Sequence, residues 1–138
     1  LRWIGVNLHF LSYIEMLENM NSLIEVYICV NKINKTTKAS YGIYLKYIND
    51  ELELIADKKV SSGVIQYKKI EEVIYSSILD SCRLINNKDL PLRIHCSFDG
   101  YYSRTKELDK EVKKFHDVFF YFNEVNEVAE KLSKENLK

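Results

Sequence analysis

Leu23-Ile24-Glu25-Val26-Tyr27-Ile28-Cys29-Val30 is the stretch from which the rest of this chain is most readily understood. Ile24, Val26, Ile28 and Val30 alternate with Glu25, Tyr27 and Cys29. That period of two predicts a strand with one apolar face and one mixed face. The polar run Asn31–Lys38 follows as a turn signal, and Ser40–Tyr47 reads as a second strand. Asn49-Asp50 predicts a tight turn into a third strand, Leu52–Val60. Three strands joined by short polar links make an antiparallel meander.

Downstream the period changes. Ile70, Val73, Ile74, Ser77, Ile78, Ser81, Cys82 and Ile85 recur at three and four residues, predicting an amphipathic helix over Tyr67–Ile85. Asn86-Asn87 and Asp89 stop it. Pro91 then opens a fourth strand, Leu92–Phe98, which Asp99-Gly100 ends. Tyr102–Lys114 is a charged helical segment whose thin apolar stripe is Leu108 and Val112. Val118–Phe122 is a short apolar fifth strand, and Asn123–Leu137 carries Val125, Val128, Ala129 and Leu132 on one helical face. The order βββ-α-β-α-β-α predicts an α/β domain with a mixed sheet, its strand–helix–strand crossover right-handed. No internal repeat, low-complexity tract or linker interrupts it.

Composition narrows the functions on offer. A chain of 138 residues has room for one domain with one core. Its 20 Lys+Arg balance 20 Asp+Glu, so any nucleic-acid binding must come from a local patch, not from a generally basic surface. Cys29, Cys82 and Cys96 form no disulfide framework and no Cys-x-x-Cys pair, which predicts reduced thiols and a cytoplasmic protein. No run of 18 apolar residues exists to span a membrane, and the N-terminal stretch lacks the marks of a secretory signal. Residues 1–19 are expected to be an N-terminal extension to a domain at 20–138, with Ile4, Leu8, Leu11 and Ile14 spaced for one helical face. The start at Leu1 suggests a fragment or an extended reading frame, with Met16 and Met20 as internal candidate starts.

Three local patterns, in this order, resemble type 1 ribonuclease H and the wider ribonuclease H-like fold. Ile24–Asn31 followed by Ser40-Tyr41-Gly42-Ile43-Tyr44-Leu45 is similar to that family's first strand, loop and Gly-containing second strand. Ser97-Phe98-Asp99-Gly100-Tyr101-Tyr102 falls where the family ends its fourth strand on an aspartate. Asn126-Glu127-Val128-Ala129-Glu130-Lys131-Leu132-Ser133 is similar to the final-helix pattern Asn-Glu-x-Ala-Asp-x-Leu-Ala. The resemblance covers about residues 23–134. It implies a five-stranded mixed sheet in the order third, second, first, fourth, fifth, with flanking helices. It also implies binding of an RNA–DNA hybrid, and cleavage with Mg²⁺ or Mn²⁺ where four carboxylates survive. Magnesium is a hard cation that takes oxygen ligands, and two ions about 4 Å apart stabilise the attacking and leaving oxygens of an in-line displacement.

Position by position, the resemblance puts Asp99 at the fourth-strand carboxylate and Glu130 at the last-helix one, the two metal-ligand candidates. The first-strand position holds Cys29, whose neutral thiol is a poor magnesium ligand. Glu25 shares its face, but four residues along a strand is roughly 13 Å, too far to substitute. The first-helix carboxylate is Glu71 by residue type. If the helix is registered by its buried stripe, Ile70 takes that place instead. The family's loop before the last helix, with its histidine, shrinks to Phe122–Val125. A thiol at the first-strand position implies a degenerate, weakly active or inactive member.

Lys32, Lys35 and Lys38, with the hydroxyls of Thr36 and Thr37, form an acid-free basic edge beside the expected cleft. Arg104 joins the nucleic-acid candidates, although Lys106, Lys110, Lys113 and Lys114 beyond it interleave with Glu107, Asp109 and Glu111, the pattern of a solvated face. Tyr41, Tyr44, Tyr47, Tyr101 and Tyr102 offer stacking surfaces. Cys29, His95 and Asp99 lack the spacing of a soft-metal site, and no Ser/His/Asp arrangement or Gly-rich phosphate loop appears. The alternatives to nucleic-acid binding are a protein-interaction module that kept the scaffold, and an unrelated domain for a small molecule.

Overall fold

The alternation read at Leu23–Val30 makes the central strand of a mixed sheet. The computed structural model describes residues 2–4, 22–33, 36–96, 106–115, 117–122 and 126–135. Its elements, in chain order, are β1 (Arg2–Ile4), β2 (Leu23–Lys32), β3 (Lys38–Ile48), β4 (Leu54–Ser61), β5 (Ile65–Gln66), α1 (Ile70–Leu84), β6 (Leu92–Cys96), α2 (Lys106–Val112), β7 (Val118–Phe122) and α3 (Glu127–Lys134). The sheet runs β1-β7-β6-β2-β3-β4, with β5 paired to the start of β3. β2-β3-β4 is the antiparallel meander, while β6 pairs parallel to β2 and β7 parallel to β6.

The five expected strands therefore stand in the expected order, and two short ones join them. β1 lies parallel to β7, so Ile4 sits in a strand and not in the helix that its spacing with Leu8 suggested. Leu8, Leu11 and Ile14 lie outside the described residues, as do Ser97, Phe98 and Tyr101–Thr105. β5 was not anticipated. At two residues it carries no readable period, and its strand character comes from pairing Gln66 with Lys38 and Ile65 with Ala39.

Two cores result from the period of two. On one face Ile24, Val26 and Ile28 of β2 pack with Ile43 of β3, Ile94 of β6 and Phe120 of β7, under Val73, Ile74 and Ile78 of α1 and Leu108 of α2. On the other face a smaller cluster joins Cys29, Tyr44 and Ala129, with Tyr27 and Leu132 packed against it. α3 covers that second face over β2 and β3. Its N-cap is Asn126, whose side-chain oxygen accepts from Val128 N (3.0 Å) and Ala129 N (3.1 Å), satisfying two of the helix's otherwise orphaned donors.

Candidate functional site

Cys29 lies near the C-terminal end of β2, opposite Gly42 of β3. The missing Cβ at Gly42 is what lets α3 come down on this spot: an added Cβ would stand 2.2 Å from Ala129 O, 2.6 Å from Leu132 Cβ and 2.6 Å from Ser133 N. The Ser133 hydroxyl donates to the Glu130 carbonyl (2.6 Å) and rests 3.8 Å from the Cys29 sulfur. The Ser40 hydroxyl in turn bonds the Ser133 carbonyl oxygen. Cys29 is 8% exposed, a thiol clamped between two strands and a helix.

Two of the carboxylates that the resemblance implies, Glu130 and Glu71, lie among the described residues. Glu130 projects from α3 with its side chain 42% exposed, ion-paired to Lys134 one turn on (3.1 Å). Glu71 is half-buried in the first turn of α1, which begins at Ile70, so both residues left open by the sequence fall in that turn. Asp99, Arg104 and Lys35 lie outside the described residues. Among the described residues, no three His, Cys, Asp or Glu side chains stand close enough together to hold a metal ion. The donor in the central position is a soft thiol, which does not fit a pair of hard, oxygen-seeking ions.

Glu25 occupies the face of Cys29, as the alternation requires, but is fully engaged elsewhere. Its carboxylate meets Arg93 Nη1 at 2.9 Å and His95 Nε2 at 3.6 Å, and accepts the Tyr27 hydroxyl at 2.8 Å. Burial pushes its pKa up, yet His95, Arg93 and the Tyr27 hydrogen bond outweigh burial and bring it down to about 2. The His95 ring stacks between Tyr27 (4.5 Å) and Tyr121 (4.9 Å). This cluster is structural: it welds β2, β6 and β7 together on the second face.

The described part of the basic edge is tied down by hydrogen bonds. Lys32 ends β2 and Lys38 opens β3, both exposed. Between them, Ile33 N donates to Lys38 O (3.0 Å) and the Thr36 hydroxyl donates to Ile33 O (2.8 Å). Tyr67 N donates to Thr37 O (2.8 Å), which ties this turn to the entrance of α1. There Gln66, Tyr67, Lys68 and Glu72 line a cavity of about 510 Å³. The Tyr67 hydroxyl oxygen is buried with no hydrogen-bond partner among the described residues. Lys69, the N-cap of α1, makes no side-chain cap, leaving the positive end of that helix beside the same rim. The sequence reading placed Tyr67 inside the helix and missed this rim; Lys68-Lys69 directly before an amphipathic period was the available signal.

Several solved structures share this arrangement. RNase H1 of Halobacterium salinarum is similar with a TM-score of 0.50 at 14% identity, covering 83% of this chain and 96% of that one. An N-terminal RNase H domain from Mycobacterium tuberculosis, solved as a fusion with maltose-binding protein, gives 0.54 at 11% identity, over 83% of this chain and 98% of the other. The foamy viral protease–reverse transcriptase in complex with an RNA/DNA hybrid gives 0.55 at 13% identity, over 84% of this chain and 20% of that one. The chain has the ribonuclease H-like fold. No protein-family model matches the sequence, and no curated protein matches it either. Within this fold β2 and β3 carry the first sequence pattern, and α3 carries the third with Asn126 as its cap. No helix among the described residues is long and apolar enough to cross a membrane.

Proposed function

We propose that this ribonuclease H-like domain binds an RNA–DNA hybrid or a related nucleic acid and has lost efficient metal-dependent cleavage. The observation that carries the reading is Cys29, a buried thiol at the strand position where the family resemblance calls for a carboxylate. A thiol there removes the oxygen that would bridge two ions, and nothing described nearby replaces it. Asp99, Glu130 and Glu71 are the carboxylates that would remain of the set; with Mg²⁺ or Mn²⁺ they would support slow cleavage at most. Glu130 remains available, because an exposed ion pair such as the one with Lys134 contributes little. Binding is assigned to the rim of Lys32, Lys38 and Lys68, with Lys35 and Arg104 as the candidates the sequence adds, where cations meet phosphates. The hybrid bound to the foamy viral relative supports that choice of ligand.

The test is a hybrid-cleavage assay in Mg²⁺ and in Mn²⁺, run beside hybrid binding at several salt concentrations. The chain should bind with an affinity that falls as salt rises, and cleave slowly or not at all. Cys29→Asp, its folding checked by circular dichroism, should gain Mg²⁺-dependent cleavage if Asp99, Glu130 and Glu71 still converge. Brisk cleavage by the unmodified chain that Asp99→Asn abolishes would overturn the loss of chemistry. Salt-insensitive or absent binding to every nucleic acid tried would overturn the ligand.

A further inference from the structure

Four large hydrophobic side chains stand exposed among the described residues, and they fall at the two ends of one hairpin. Leu52 (52%), Leu54 (52%) and Ile55 (54%) occupy its tip, where β3 turns into β4; Val64 (49%) stands at the opposite end, its foot, directly before β5. β3 has 11 residues, so tip and foot are roughly 30 Å apart. Each end has its own charge. The tip carries Asp50, Glu51 and Glu53, all exposed, with no Lys or Arg among residues 49–56. Asn49 Oδ1 orders it by accepting from Glu51 N (3.0 Å) and Glu53 N (2.9 Å). The foot gathers exposed Lys32, Lys38, Lys68 and Lys69 beside Glu72, whose carboxylate accepts the Lys68 N–H at 3.4 Å.

The tip is not built to add a strand. Tyr47 pairs with Ala56 and Ile48 with Leu54, so Ile55 is an extra residue bulged out of the ladder. What the tip presents is side chains, apolar ones ringed by acid. Their complement stands on the same molecule, at the foot: an apolar side chain ringed by ammonium groups. We propose that the tip of one copy docks on the foot of the next. Leu52, Leu54 and Ile55 then lie against Val64 and the lysine stems, with Asp50, Glu51 and Glu53 among Lys32, Lys38, Lys68 and Lys69. Like-to-like pairing would instead set acid on acid or base on base. Tip and foot lie at opposite ends of β3, so the contact is heterologous, leaves one free end on each side, and adds copies head to tail. The apolar area is small and the charges are exposed, so the association is weak and salt dissolves it. The foot shares lysines with the nucleic-acid rim, but a test without nucleic acid makes the proposal stand or fall separately from that reading.

Exchanging charge at one end at a time tests it, by sedimentation velocity at low salt without nucleic acid. The unmodified chain should form dimers and larger species in a series that grows with concentration and disappears in high salt. Glu51→Lys with Glu53→Lys makes the tip basic, and Lys68→Glu with Lys69→Glu makes the foot acidic; each variant alone should associate about tenfold more weakly. An equimolar mixture of the two should recover association, because the basic tip of one meets the acidic foot of the other. Recovery also shows that both variants fold. Copies inert at one end each should mix into one-to-one pairs and go no further: Glu51→Gln, Glu53→Gln and Ile55→Ser at the tip, Lys68→Gln and Lys69→Gln at the foot. The proposal is overturned by a chain that stays monomeric across the concentration range, by a series that stops at the dimer, by association indifferent to charge exchange, or by inert-end mixtures that grow past the pair.

Discussion

Gly42 shows how one missing atom fixes the second face of the sheet. Its would-be Cβ collides with backbone atoms of α3, which cannot swing aside as a flexible side chain would. Gly42→Ala must therefore lift the helix, and overpacking against backbone should cost about 2 kcal/mol or more, measured as a lower urea midpoint. Glu25 and Arg93 make the complementary case of charge. Their side chains are 9% and 1% exposed, and the guanidinium also lies over the Tyr121 ring at 4.7 Å. Glu25→Gln leaves Arg93 buried without its carboxylate and should cost roughly 3–5 kcal/mol in the same assay. Replacing both, as Glu25→Leu with Arg93→Met, should recover most of that loss, because the desolvation of two charges disappears with their attraction. A double variant as unstable as Glu25→Gln would show that the pair contributes shape and not charge.

Among the elements, α3 tests most directly what a short helix needs. Eight residues are too few to hold a helix by propensity alone, so its cap and its packing on Gly42 must do so. Asn126→Ala removes the acceptor for two backbone donors and should lower stability by about 1 kcal/mol, with the loss of helix concentrated over residues 127–130 in hydrogen exchange. The sequence made α3 legible because cap and apolar stripe are local signals. It made β2, β3 and the faces of Glu25 and Cys29 legible because alternation is local too. β1 was misread, since Ile4 with Leu8 imitates a helical spacing and only pairing with β7 reveals a strand. The partners of Glu25 were invisible for a related reason. Arg93 comes opposite it through a parallel pairing made 68 residues along the chain, and no local pattern encodes that meeting. The site was half legible: Cys29 and Glu130 stand on β2 and α3 as read, whereas the Tyr67–Lys68 rim depends on β5, which only its partner strand defines.

For the molecule as a whole, the buried pair turns acid into a probe of the entire sheet. Glu25 lies on β2, the strand shared by the meander and the parallel half, and it holds Arg93 and His95 of β6. Its carboxyl falls from 4.5 to about 2 on folding, the opposing push of burial being outweighed by His95, then Arg93, then Tyr27. A depressed folded pKa means that the unfolded chain binds the proton first. Stability from this group is therefore fully present above about 4.5 and drains away as pH falls toward about 2. The interval corresponds to about 3 kcal/mol, comparable to a large part of the stability of a small domain. Urea midpoints measured from neutral pH downward should stay level to about pH 5 and then fall with a slope of about one proton. The Glu25→Leu/Arg93→Met variant should lose that segment of the curve while keeping shallower contributions from exposed Glu107 and half-buried Glu111, whose carboxyls their neighbours also hold low. An identical acid limb in the double variant would move the origin of acid sensitivity away from the β2–β6 seam and onto the surface carboxylates.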